Sequence, residues 1–163
     1  GFIAALDAVD AAQLELQNGR PAAFKALWSH GDDVTLAGGF GGEVEKGWPA
    51  VSRRLDWASA QFTNGTHEKT RLVAVSSGDI GYVVQRAHIR FFPAGSTAET
   101  SRDLRVTMVL RREQVGWRIV HRHADAQVDR VGPRQARGPT PDPSLEPTAL
   151  SATSSSSRRT GAP

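Results

Sequence analysis

Cysteine is missing altogether from the 163 residues. Its absence removes disulfides, thiolate nucleophiles and cysteine-ligated zinc from consideration. Long apolar runs are missing as well, and none approaches the ~20 residues a helix needs to cross a bilayer. The opening stretch GFIAALDAVDAAQLELQNG has no basic leader and carries Asp7, Asp10 and Glu15, so it does not read as a secretory signal. A cytoplasmic protein with no membrane contact is the expectation. Strong net charge is lacking too. The formal balance is +3, and from Asp129 onward five arginines stand against Asp129, Asp142 and Glu146, which leaves about +1 for the rest. The folded part is therefore not expected to bind nucleic acid.

Two further absences concern motifs. GGFGG, Gly38 to Gly42, lacks the Lys-Ser/Thr pair of a phosphate loop and the glycine spacing of a dinucleotide fingerprint. It reads as a turn or flexible rim. No nucleophile elbow is present, and no repeat of 20–50 residues is visible. Neither a cofactor nor a metal is called for. His-x-His at His121 and His123, with Asp125 or His88 as a third ligand, has no spacing that fixes a metal site.

What is present is an ordinary mixture, 39% hydrophobic and 23% charged, long enough for one domain with a real core. Composition breaks near Val128. Residues 129–163 hold six of the nine prolines, the run Ser154 to Ser157 and no aromatic residue, the signature of a flexible tail whose removal should leave the melting temperature unchanged. Residues 1–128 read as helices followed by strands. Phe2, Leu6, Val9, Gln13 and Leu16 trace one helical stripe that stops at Asn18-Gly19. PAAFKALWSH, opened by Pro21, is a short second helix, and Gly47 to Phe62 a third. DVTLAGGFGG is a strand entering a loop. Four long strands follow, His67–Ser77, Ile80–Phe92, Glu99–Arg112 and Gly116–Gln127, with turn residues between them. This is an α+β order: a bent antiparallel meander covered by three N-terminal helices, a cone-shaped arrangement with a pocket at its open end.

The chemistry concentrates in WRIVHRHAD, Trp117 to Asp125. His121, His123 and Asp125 recur at intervals of two, so on a strand they share one face. Imidazole suits proton transfer near neutral pH, and a neighbouring carboxylate fixes its tautomer. The alternative is a hydrogen-bonded network that merely closes the strand end. A four-residue loop at 113–116 pairs Arg112 with Trp117 and Met108 with His121, which puts both histidines on the dry face with Trp117 and Ile119. A one-residue change of register instead aligns Arg105 and Thr107 with them. Tyr82, the single tyrosine, alternates with Val84, Arg86, His88 and Arg90, and its hydroxyl could donate to a ligand carbonyl. Trp28, Trp48 and Trp57 sit on the helices, against either ligand or core.

GDDVTLAGGFGG, GWPAVSRRLDWAS, SGDIGYVV and LRVTMVLRRE…GWRIVHRHAD, in that order across residues 1–128, together resemble the SnoaL-like branch of the nuclear transport factor 2-like (ketosteroid isomerase-like) superfamily. The closing Arg-Arg…Trp-Arg-Ile-Val-His-Arg-His is also similar to the association domain of calcium/calmodulin-dependent kinase. The resemblance implies one bent sheet, three helices, a pocket between them and dimerisation through the sheet. It carries over Trp48, Trp57, Arg105, Thr107, His121, His123 and Asp125. Many such relatives hold a glutamate in the strand that here reads YVVQRAHIR, where this chain offers Gln85, Ala87 and His88. Fold does not select function, so two readings stand. One is an isomerase, cyclase or hydrolase of an apolar carbonyl compound, with His121 or His123 as proton shuttle beside Asp125, Tyr82 and Arg105. The other is a non-catalytic homodimeric binding or assembly domain whose Arg105 anchors a small carboxylate. Either way the expected partner is a small-molecule ligand, contacted by Arg105, Thr107, Trp28, Trp48, Trp57 and His88. A carboxylate base in the pocket favours the first reading, its absence the second.

Overall fold

The computed structural model describes residues 1–135. The remaining residues of the expected tail lie outside the described ones. Gly1–Val128 form one compact unit, and a short 3-10 turn, Pro133–Gln135, follows it in sequence.

Helix α1, Phe2–Leu16, buries the expected stripe of Phe2, Leu6, Val9, Gln13 and Leu16, with Ala12 added. The 3.6-residue period places those side chains on one side, and Gly19 at φ +80° lets the chain leave the last turn. Helix α2, Ala22–Ala26, is shorter than its sequence suggested. The chain leaves it at Leu27 because residues 27–29 bond instead to Ile119: Ile119 N donates to Leu27 O at 2.9 Å and Ser29 N to Ile119 O at 2.9 Å. Strands β1, Thr35–Ala37, and β2, Glu45–Lys46, make a small ladder ahead of α3, Trp48–Ser59. Helix α3 ends three residues before Phe62, not at it. Ser59 Oγ donates to Leu16 O at 2.7 Å, and Phe62 already belongs to the first long strand.

The four long strands are β3, Phe62–Ser77; β4, Ile80–Pro93; β5, Thr100–Glu113; and β6, Gly116–Ala126. They pair as the expected antiparallel meander. β1 adds to its far edge, parallel to β6, which gives the order β2-β1-β6-β5-β4-β3. β3 starts earlier than expected because a break in register between Thr63 and Thr66 carries it past Asn64, at φ +49°, and Gly65. Asn18 clasps that break from α1, accepting from Gly65 N and donating to Gly65 O. The three helices and the inner face of this curved sheet enclose the core, in which Trp28, Phe24, Val51, Val83, Leu110 and Ile119 are at most 1% exposed. Among the described residues no helix is long and apolar enough to cross a membrane.

Register in β6 decides what the core faces. Arg112 pairs with Trp117 and Leu110 with Ile119, as the four-residue loop requires. The next pair is Val109 with His121, so Val120 is an extra residue, a β-bulge. Its position has a cause: Ile119 bonds to the 27–29 segment, whereas His121 begins the pairing with β1 at Thr35. β6 therefore changes neighbours at Val120. Beyond it the expected pairing of Met108 with His121 is replaced by Met108 with Arg122, and Thr107 and Arg105 face His123 and Asp125.

Candidate functional site

The bulge sends His121, His123 and Asp125 to the outer face of the sheet and turns Arg122 and Ala124 inward. Arg122 joins a cavity of about 60 Å³. At about 10–15 Å³ per water, that is room for a short ligand. The wall from the helices is Gln13, Leu16 and Gln17 of α1, Phe24 of α2, and Arg54, Leu55 and Ala58 of α3. The sheet supplies Leu36, Phe62, Ile89, Arg102, Leu104 and Arg122, and Gly38, Gly39 and Phe40 form the rim. Thus the lining has an apolar body, two amides and three guanidiniums. No aspartate, glutamate, histidine or tyrosine is among these residues.

None of the three arginines has an ion pair among the described residues. Arg122 Nε and Arg54 Nε are buried without a hydrogen-bond partner, as is Gln17 Oε1. Burial pushes the Arg122 guanidinium down to about 10, still protonated at neutral pH. Burial likewise lowers Arg54 and Arg102. Arg102 Nη2 donates to Gly39 O at 2.6 Å and Arg54 Nη2 to Gly41 O at 2.7 Å, so both hold the glycine-rich rim by its carbonyls. Phe40, carried on that rim, packs against Phe62, Phe91 and Trp57 with centroids 5.5, 6.5 and 5.5 Å apart, and Arg102 lies over its ring. Next to Arg122 on the inner side is His67, which burial, then the Arg122 charge, pushes down to about 4.

The outer face holds most of the residues that the sequence singled out. Arg105 makes a bidentate pair with Asp125, both bonds 2.9 Å. That pairing holds the Asp125 carboxyl below the usual carboxylate range. His123 lies 3.9 Å from the same carboxylate, and Thr107 is its partner across the ladder. His121 Nδ1 lies 2.7 Å from Thr35 Oγ1, and burial, reinforced by the charge of His123, lowers its affinity for a proton. Tyr82 is exposed on this face, beside Val75 and Val109. His88 bonds Asp103 at 2.8 Å and Ser101 at 3.4 Å, within an open polar cleft of about 400 Å³ that also includes Glu68, Arg86 and Gln127.

The tryptophans separate. Trp28 is core, 1% exposed and outside the cavity lining. Trp48 stacks on His30, centroids 4.0 Å apart. Trp57 flanks the rim, under Arg54 and against Phe40. Of the residues that do line the cavity, Arg54, Arg102 and Arg122 lacked a sequence signal. Arg122 stood between the two histidines, and only the bulge distinguishes it from them.

This geometry sits on a curved open sheet with helices on its inner face, and residues 5–128 match the SnoaL-like domain family. The chain belongs to that family. A comparison with the curated proteins finds no match. Solved structures with the same fold include a dehydratase candidate of the nuclear transport factor 2-like family from Streptomyces avermitilis. It is 18% identical, with TM-score 0.67, over 78% of this chain and 98% of that one. A ketosteroid isomerase-like protein from Erwinia carotovora is 16% identical, with TM-score 0.66, over 78% and 95%. A calcium/calmodulin-dependent protein kinase type II association-domain candidate from Thiobacillus denitrificans is 23% identical, with TM-score 0.62, over 77% and 94%. At these identities the SnoaL-like chain shares the fold with them and nothing finer.

Proposed function

We propose that this SnoaL-like domain is a non-catalytic binding domain that holds a small carboxylate in its interior cavity, with Arg122 as the anchor. The observation that carries the reading is the set of three cavity guanidiniums with no carboxylate in the lining; Glu45, outside it, acts on Arg54 alone. Removing a charge from water is costly unless an opposite charge or hydrogen bonds replace the solvent. A bound carboxylate supplies both, through charge-assisted bonds that a guanidinium makes two at a time. Arg105, the anchor expected from the sequence, is already engaged by Asp125. Proton abstraction from a carbonyl compound calls for a base within reach of the substrate, and neither a carboxylate nor the neighbouring His67 is among the residues that line the cavity. The second half of the proposal is a homodimer formed through the outer face of the sheet.

The test is a thermal-shift screen of short carboxylates, their primary amides and sterol-like ketones. Carboxylates at millimolar concentration are expected to raise the melting temperature and amides of the same length to leave it unchanged. Stabilisation by neutral ketones, with none by carboxylates, overturns the reading.

A further inference from the structure

We infer that the ligand of this cavity is a two-headed anion, a short dicarboxylate with an apolar middle, one head on Arg122 and the other on Arg54 and Arg102; this rests on the carboxylate reading above.

Three observations carry it. The first is charge. Three guanidiniums line the cavity with no carboxylate in the lining, and Glu45 outside it acts on Arg54 alone, so a monocarboxylate on Arg122 leaves positive charge at the rim that a second head can meet.

The second is where the charges come from. Arg122 pairs with Met108 on β5, while Arg102 is six positions back along the same strand, roughly 20 Å of extended chain. Both side chains nevertheless reach one cavity, so they enter from opposite ends. Arg54 comes from α3 and joins Arg102 at the rim, where both bond the same glycine loop. On β5 the lining residue between the two levels is Leu104, and Ile89 stands opposite Arg102 on β4. Positive, apolar, positive is the complement of a dicarboxylate and not of a compact phosphate.

The third is the state of the rim arginines. Each spends an Nη2 donor on a backbone carbonyl, Gly41 O for Arg54 and Gly39 O for Arg102. A guanidinium has five N–H donors, and a carboxylate is a stronger acceptor for them than a neutral carbonyl. The loop carbonyls occupy the place where the second head belongs. Gly41 and Gly42, at φ +82° and +87°, give the loop a backbone that other residues rarely adopt.

The experiment is isothermal titration of the full chain with glutarate and with valerate, which has the same carbon chain and one head, at fixed ionic strength. Glutarate is expected to bind at least tenfold tighter. Arg102→Gln, or Arg54→Gln should the first variant misfold, is expected to narrow the ratio of the two affinities to below threefold. Arg122→Met is expected to abolish binding of both. Equal affinity of glutarate and valerate for the unaltered protein overturns the two-headed ligand and leaves the carboxylate reading standing. Failure of both acids to bind the folded protein overturns the two together, and undiminished glutarate binding by Arg122→Met removes the assigned anchor.

Discussion

A guanidinium kept out of water without a counter-charge lowers the stability of the protein that carries it. Arg122→Met keeps the stem and removes the charge, so the variant should be more stable than the parent, by about 1–3 kcal/mol, while losing the anion. Urea denaturation checks the first part, and a destabilised variant would mean that Arg122 is structural. His67 makes a pH-dependent counterpart. Its folded pKa, about 4, lies below the ordinary 6.5, so between those values the unfolded chain binds the extra proton. Stability from this group is complete above pH 6.5 and declines as the pH falls toward 4, by at most about 3 kcal/mol. His67→Gln should flatten the decline measured by denaturation at pH 7, 6 and 5. His123, exposed on the outer face, belongs to a different category: His123→Ala is expected to leave carboxylate affinity within twofold, read by the same titrations.

At the scale of elements, the clasp between α1 and the start of β3 leaves no room for a side chain. A Cβ on Gly65 would stand 2.4 Å from Gln17 O, so Gly65→Ala must push the helix end away. A loss of about 1–3 kcal/mol is expected, visible as a lower melting temperature. Much of this scale was legible in advance. The stripe of α1, the strand order and the turn residues follow from local periodicity, which depends only on neighbours in sequence. The parallel addition of β1, the early start of β3 and the bulge at Val120 do not, because each is set by a distant partner: β6, Asn18 and the 27–29 segment. The candidate site depends on the same point. The sequence left two registers open for the histidines, because alternate residues of a strand occupy opposite faces, and the bulge selects the one that aligns Thr107 and Arg105 with His123 and Asp125.

At the scale of the whole molecule, the outer face presents Val73, Val75, Ile80 and Tyr82, 36–48% exposed, on strands paired through Val73–Val84, Val75–Tyr82 and Tyr82–Val109. A contiguous apolar area of this kind on a sheet is what association buries. Light scattering at micromolar concentration should give twice the chain mass, and Val75→Asp should halve it. A monomer for the unaltered chain would dispose of the proposed homodimer.

The bulge also says how a protein of this shape can change its chemistry. Substitutions alter one side chain at a time, and a histidine introduced on a wall of arginines must be tolerated on its own. Taking Val120 into the ladder, as the partner of Val109, is a different operation. It would set every later residue of β6 back by one place against β5, withdraw Arg122 and Ala124 from the interior and present His121, His123 and Asp125 there together. A basic, receptive chamber and an acid–base one thus differ by the pairing of one residue, with the whole set of groups already encoded on the reverse of the same strand. Among chains of this fold, the presence or absence of a bulge between Trp117 and Asp125 is therefore as informative about chemistry as the identity of any residue within it.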